Sequence, residues 1–346
     1  MKMLLRPEFL NGPFGDPSLY IWETNEKDAL LLDCGDLTRF TPKQLLKVSS
    51  IFLSHCHMDH FFDFDLFLRI HMGTKKAVRV YGPPETSHRV AGKLASYTWN
   101  LLYDQSLEFA VVDLDPMTGT RTQTQFQAKN QFRPSMPVVE RWNPKDPILD
   151  VRTYQVRTAL LDHRTPSLAY AVEEKVTVSV NEDALKEMGL KPGTWINELK
   201  NWYLFGGSKD ENLQVLKLSG ETAELNAAEL AGKILSPRQR HKIAYATDGA
   251  ANPANHQALL ELVRDADVLF SETCFLELDR KLADETKHFT TQFIGTLAQE
   301  AGVKKVVPFH FSKRYLGNPE QVWNEVRSFY KGEVGVLEQN PRQLRL

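Results

Sequence analysis

Short apolar runs and longer stretches of helical spacing take turns along this chain, the pattern of a protein built from alternating strands and helices. Ser18 to Trp22 and Ala29 to Leu32 flank the polar turn Glu23-Thr24-Asn25-Glu26-Lys27 and predict an antiparallel hairpin. Pro42 to Val48 reads as a short helix feeding the apolar run Ile51-Phe52-Leu53, and a helix over Phe61 to Arg69 follows. Val78 to Tyr81 is a strand stopped by Gly82-Pro83-Pro84, and Glu85 to Leu102 has helical spacing. Residues 114–148 break the pattern. Thr120 to Asn130 is polar and without a period, and Pro134, Pro137, Pro144 and Pro147 follow it, so a surface excursion that covers or lines a site is expected. Leu149 to Leu161 returns as a strand, and Leu168 to Val172 as another. Between Thr177 and Arg240 two short helical pieces, Asn181 to Met188 and Thr194 to Trp202, predict an arm inserted into a single domain spanning residues 1–346. The alternation then resumes with strands at Lys242 to Ala246, Val268 to Phe270 and Lys305 to Phe309, and helices at Pro253 to Val263 and Gln292 to Ala301.

Composition narrows the class without naming an activity. The 346 residues are 42% hydrophobic and 25% charged, ordinary for a globular protein with a full core. Lys plus Arg is 42 against 44 for Asp plus Glu, a formal charge of −2, so no global nucleic-acid signature is present. Cys34, Cys56 and Cys274 are too few for a disulfide framework and suit a reducing compartment. The first residues lack the apolar core of a signal peptide and no stretch reaches the length of a membrane span. A soluble, cytoplasmic protein with no membrane partner is therefore expected.

Chemistry concentrates in Ser54-His55-Cys56-His57-Met58-Asp59-His60, directly after an apolar strand. This H-x-H-x-D-H string supplies imidazoles and a carboxylate, which suit zinc and related divalent metals. His55 and His57 would hold one ion, with Asp59 and His60 pointing toward a second. Two metals about 3.5–4 Å apart form the usual arrangement for phosphate-ester hydrolysis. Ligand loops at the ends of buried strands are where α/β folds place their sites. His163, Asp248 and His310 each follow a predicted strand in the same manner, which makes them the distant candidates. Cys56 is expected to be a buried bystander. Asp33 and Asp36 are read as a polar turn at a strand end, the alternative being that they orient ligand histidines.

Taken together, H-x-H-x-D-H at 55–60 with His163, Asp248 and His310 resembles the metallo-β-lactamase superfamily. Asp162 to Tyr170, Ser271-Glu272-Thr273, His288-Phe289-Thr290 and His310-Phe311-Ser312-Lys313-Arg314-Tyr315 resemble ribonuclease Z signatures in order and spacing. Leu185 to Gly193 resembles the segment that precedes and forms that family's arm, which grips precursor tRNA. The resemblance implies an α/β fold, an αββα four-layer sandwich of two sheets with helices outside. It also implies a dizinc centre, Mn2+ or Fe2+ being the other metals. His55, His57 and His163 would hold the first ion, Asp59, His60 and His310 the second, and Asp248 would bridge. Asp59 would accept a hydrogen bond from the attacking hydroxide. Glu272 and His288 would be the proton-transfer pair, with structural hydrogen bonding as the alternative. The implied partners are RNA, specifically precursor tRNA, or a small phosphodiester, with a homodimer as the assembly.

Departures from the pattern leave the ligands alone but bear on substrate. The arm has Pro192-Gly193-Thr194 where the family usually has glycine-proline, Asp248 is followed by Gly249 in place of threonine, and His288 by Phe289 in place of a small hydroxyl residue. Asn11 to Asp16 replaces the family's glycine-rich amino-terminal turn. The reading favoured is a zinc-dependent phosphodiesterase with tRNA 3′-end processing as its particular form. Its alternatives are a small-molecule esterase, lactonase or sulfatase on the same metals, an iron oxidoreductase, and a non-catalytic RNA-binding relative.

Overall fold

The computed structural model describes residues 4–23, 28–102, 105–175, 177–238 and 240–338. The first sheet has eight strands: β1 (Leu5–Phe9), β2 (Leu19–Glu23), β3 (Ala29–Leu32), β4 (Val48–Phe52), β5 (Ala77–Gly82), β6 (Glu108–Asp115), β7 (Thr120–Gln127) and β8 (Val138–Arg141), hydrogen-bonded in that order. Its centre, β3 to β6, is parallel, and both ends are antiparallel. The β2–β3 hairpin forms as expected, although residues 24–27 of its turn lie outside the described residues. A second sheet starts with β9 (Leu149–Asp150), β10 (Tyr154–Asp162) and β11 (Pro166–Glu174). The chain leaves it for β12 (Thr177–Val180), β13 (Asn212–Leu216), β14 (Thr222–Asn226) and β15 (Leu235–Arg238). It returns in β16 (Lys242–Ala246), β17 (Val268–Glu272), β18 (Lys305–Phe309) and β19 (Glu333–Val334). The order across this sheet is β19-β18-β17-β16-β11-β10-β9, with β16 to β19 parallel.

The inner faces of the two sheets meet through aromatic side chains. Phe52 on β4 stacks on Tyr81 and meets the edge of Tyr170 on β11, and Phe9 on β1 lies against Phe270 and Phe309. The Tyr170 hydroxyl donates to the Leu53 carbonyl at 2.6 Å, so its one polar atom is satisfied inside the sandwich. On the outer face of the first sheet, Phe64, Phe67 and Leu68 of the helix Phe64–His71 and Val90 and Leu94 of the helix Thr86–Ala95 pack on Leu31, Ile51, Val80 and Phe109. On the outer face of the second, Leu259 and Val263, Ile294 and Leu297, and Val326 come from three helices, Pro253–Val263, Thr291–Glu300 and Glu320–Phe329, and cover Ala244, Leu269 and Val306. Each fully buried large side chain contributes roughly 1.5–3 kcal/mol. The parallel strands β4, β16, β17 and β18 are buried on nearly every residue because helices cover one face and the other sheet covers the second.

Several sequence expectations need correction. Residues 114–148 are not an irregular excursion. They finish β6 and build β7 and β8, the edge of the first sheet. Thr124 and Phe126 point inward from β7, but the intervening glutamines hid that alternation. The run Leu149 to Leu161 is two strands, β9 and β10, separated by residues 151–153. The helix expected over Phe61 to Arg69 is two, Met58–Phe61 and Phe64–His71, and that expected over Glu85 to Leu102 ends at Ala95.

Residues Val151–Tyr154 and Glu174–Arg240 form a compact unit by themselves, and the remainder of the chain forms the other. The smaller unit has more structure than two helical pieces. β12 pairs with β15, β13 with β14, and the helices Glu182–Glu187, Trp195–Phe205 and Ala227–Ile234 enclose Leu185, Leu190, Trp195, Leu199, Val215, Leu230 and Ile234 as a core of its own. Asn181 and Asn226 cap two of these helices, each accepting from two backbone amides.

Candidate metal centre

Four loops at the carboxyl ends of β4, β10, β16 and β18 carry the candidate ligands, and they converge on one point. After β4 the chain passes through Ser54 and His55 to His57, which opens the one-turn helix Met58–Phe61 with extended backbone and uses no side-chain cap. Asp59 and His60 therefore sit on the first turn. His163 follows β10, Asp248 follows β16 and His310 follows β18; Asp248 and His310 both adopt a left-handed backbone conformation, φ 45° and 58°. Such strain in residues other than glycine persists only where surrounding contacts hold it, and it concentrates at functional sites.

These residues assemble into two four-member groups that share one carboxylate. His55, His57, His163 and Asp248 bring a ligand atom each to within 4.8 Å of one another, and so do Asp59, His60, Asp248 and His310. Asp248 Oδ2 lies 3.7 Å from His55 Nε2, 3.5 Å from His163 Nε2 and 3.4 Å from His60 Nε2, while its Oδ1 is 3.7 Å from His310 Nδ1. The donor set passes a chemical test for metal. His55 Nε2 and His60 Nε2, both beside Asp248 Oδ2, are buried with no hydrogen-bond partner, a costly state unless a cation occupies the space between them.

Several other ring nitrogens are held by protein groups. His163 Nδ1 donates to the Lys287 carbonyl at 2.7 Å. His60 Nδ1 donates to Asp33 Oδ2 at 2.9 Å, and the same oxygen accepts from Ser54 Oγ and the Tyr245 hydroxyl, while Asp33 Oδ1 accepts from the Ser54 amide. Asp33 thus fixes the His60 ring, which reverses the preference for a turn role. It acts from a left-handed backbone position, φ 58°, and is fully buried. Asn255 was not singled out from the sequence. Its side chain accepts from the Asp162 amide and donates to the carbonyls of Asp162 and Ala250, tying the loop of His163 to that of Asp248.

Beside the two groups lies a carboxylate–imidazole pair. Glu272, fully buried at the end of β17, accepts from His288 Nδ1 at 2.7 Å through Oε2 and from the amides of Phe289 and Gly249 through Oε1. Gly249 is required here. A Cβ on it would sit 2.5 Å from Phe289 Cζ, so the two departures Asp248-Gly249 and His288-Phe289 are one change seen from two sides. Cys274 was overlooked in the sequence. Its thiol joins Glu272, His288 and His310 in a third group of potential ligand atoms.

The site's electrostatics divide its imidazoles. Burial pushes His55 well below its usual range. Burial opposes charge on His60 too, but Asp248 and Asp33 outweigh it and raise its pKa to about 10. Burial is likewise overcome at His310, held up mainly by Asp248, and at His288, held up by Glu272. Asp59 and Asp248 go below the carboxylate range because neighbouring imidazoles outweigh the cost of burial. Cys56 is pushed up to about 12 by burial, which makes it unreactive, in keeping with a bystander role.

A two-sheet sandwich with imidazoles and carboxylates gathered at one edge defines the metallo-β-lactamase fold, and this chain has it. Residues 12–123 match the family model described as metallo-beta-lactamase superfamily. The metallo-beta-lactamase fold protein YhfI from Bacillus subtilis superposes with a TM-score of 0.56 at 14% identity, over 98% of both chains. The short form of human tRNase Z gives 0.50 at 16% identity, over 96% of both. Within that fold the sequence resembles ribonuclease Z: the Deinococcus radiodurans ribonuclease Z is 27% identical over 329 residues, 93% of this chain and 94% of its own. Among the described residues, no helix is long and apolar enough to cross a membrane.

Proposed function

We propose that this chain is a metal-dependent hydrolase of the ribonuclease Z type, a phosphodiesterase that removes the 3′ extension from precursor tRNA. One observation carries the reading: a single buried carboxylate, Asp248, is common to two groups of four potential ligands, and His55 Nε2 and His60 Nε2, one from each group, are buried with no hydrogen-bond partner. His55, His57 and His163 would hold one ion and Asp59, His60 and His310 the other, with Asp248 available to both. Zinc suits this imidazole-rich set. When bound, paired zinc ions polarise a phosphate ester and bring a water toward ionisation at neutral pH.

The protein's own groups do the rest. Asp33 and the Lys287 carbonyl hold His60 and His163 so that each presents Nε2 inward. Asp59, 41% exposed at its side chain, accepts a hydrogen bond from the attacking water and aligns it. Glu272 keeps His288 protonated through Nδ1, leaving Nε2 to donate a proton to the departing oxygen. The unit at 174–240 holds the body of the RNA, with Lys186, Lys191 and Lys209 exposed on it. A homodimer in which one chain's inserted unit serves its partner's site completes the proposal, supported by the resemblance of Leu185 to Gly193 to the gripping arm.

Cleavage of a 3′-extended precursor tRNA by the zinc-loaded protein, with product ends mapped, tests the reading. A single cut after the discriminator base that disappears in Asp248→Ala is expected. No cut on RNA, with rapid carboxyl-ester hydrolysis that Asp248→Ala abolishes, would overturn it in favour of a small-molecule esterase.

A further inference from the structure

Glu272, Cys274, His288 and His310 offer a carboxylate oxygen, a thiol sulfur and two imidazole nitrogens that all lie within 4.8 Å of one another. We propose that this group is a third, inhibitory metal site, which takes zinc or a similar thiophilic divalent ion when metal is in excess. A thiolate, two imidazoles and a carboxylate make a four-ligand set of the kind that closes around zinc. In a tetrahedral zinc site, ligand atoms stand about 3.3–3.8 Å apart, from bonds of about 2.0–2.3 Å. Glu272 Oε2 is 3.5 Å from His310 Nδ1, already within that range, and 2.7 Å from His288 Nδ1, a hydrogen-bonded pair that an ion would spread by about half an ångström.

His310 makes a third ion compatible with the other two. Its Nε2 lies 3.1 Å from Asp59 Oδ2, while its Nδ1, buried and without a hydrogen-bond partner, faces Glu272 on the other side. The ring can therefore be drawn toward either group. Cys274 is 6% exposed and sits on the backbone just past β17, whose end also carries Glu272, so the fold itself aims both side chains at one place. Burial and the nearby carboxylates raise the thiol to about 11.

Binding is an exchange of protons for metal. The ion displaces the thiol proton of Cys274, the proton that His288 Nδ1 shares with Glu272 and, with the other nitrogen of His310 still serving the second ion, the proton of His310 Nδ1; all three leave to solvent, and no electrons move. Because binding competes with these protons, the site fills only when metal is in excess. Inhibition follows if the proposed proton-transfer role of Glu272 and His288 holds, since both are then tied to the ion. The binding itself does not depend on that role.

Cobalt(II) titration of the metal-depleted full-length protein reads the site directly, through the thiolate-to-cobalt charge-transfer band in the near ultraviolet. Two equivalents should bind without the band, and the band should grow with further cobalt, vanish in Cys274→Ser and persist in Cys56→Ser. In parallel, zinc excess should slow cleavage by about 10²-fold or more in the wild type, the contribution of one general acid, and by less than about twofold in Cys274→Ser. A wild-type protein with no band at any cobalt excess, or a band that survives Cys274→Ser, overturns the proposal. So does a band that saturates within the first two equivalents. A late, Cys274-dependent band in a protein that cuts no RNA would sink the tRNA reading and leave the third site standing.

Discussion

The two compact units of this chain hold their polar groups in opposite ways. In the larger unit most of the candidate site's side chains are buried and locked by neighbours: Asp248 is 2% exposed at its side chain, left-handed in backbone, and reached by four imidazoles within 3.7 Å. In the unit at 174–240 most charged groups sit outside an apolar core: the Lys186–Asp183 pair, at 3.8 Å, is 73% and 89% exposed. Exposed pairs of this sort add at most about 1 kcal/mol, so such a pair does not fix one arrangement of charge. Chemistry demands a rigid constellation and recognition of a polyanion does not. The centre should therefore tolerate almost no change, and the inserted unit a good deal.

The largest expected effect is also the sharpest way to separate the two. Asp248→Ala should lower hydrolysis of both precursor tRNA and a simple nitrophenyl phosphodiester by about 10³-fold or more, with the fold retained by circular dichroism. Replacing residues 177–238 by a short glycine-serine linker should abolish cleavage of the tRNA alone. The join is sterically simple because Glu173 on β11 pairs directly with Lys242 on β16. Equal loss on both substrates would break the division of labour.

Smaller effects sharpen it. Asp33→Asn should weaken metal affinity by about 10–100-fold, measured by competition with a chromogenic chelator, since it loosens His60 without removing a ligand. Gly249→Thr should destabilise the larger unit by about 1–3 kcal/mol through its clash with Phe289. Adding Phe289→Ser should give a double variant more stable than the sum of the single changes, and strict additivity would refute the coupling. The smallest effect is in protons. In the metal-free chain Asp248 and Asp33 raise His60 to about 10, so it carries a proton near pH 7.5, and Asp248 raises His310 above the usual imidazole range. Zinc must displace these protons, so binding should release them and apparent affinity should rise with pH until His60 has titrated. Calorimetry in buffers of different ionisation enthalpy measures the release.

Much of the candidate centre was legible because each candidate ligand follows a strand, a buried parallel one for all but His163, and a strand end is a fixed point in an α/β fold. What stayed hidden depended on pairing across the fold. Asp33 looks like any acid in a strand-end turn until Tyr245, 212 residues away, and His60 close upon the same oxygen. Asn255 likewise acts across 93 residues on Asp162. β7 was missed because only Thr124 and Phe126 mark its buried face among glutamines and threonines. The inserted unit was read as two helices because β13 and β14 alternate too briefly to stand out. They find their partners only in a core shared with the helices Trp195–Phe205 and Ala227–Ile234.

The shared carboxylate is the centre of the account, and counting metal tests it most directly. After dialysis against a weak chelator, the wild-type protein should keep two ions per chain by elemental analysis, and Asp248→Ala should lose both, because each group of four then falls to three. Two ions retained in the Asp248→Ala variant, or a wild-type chain that keeps only one, would contradict it.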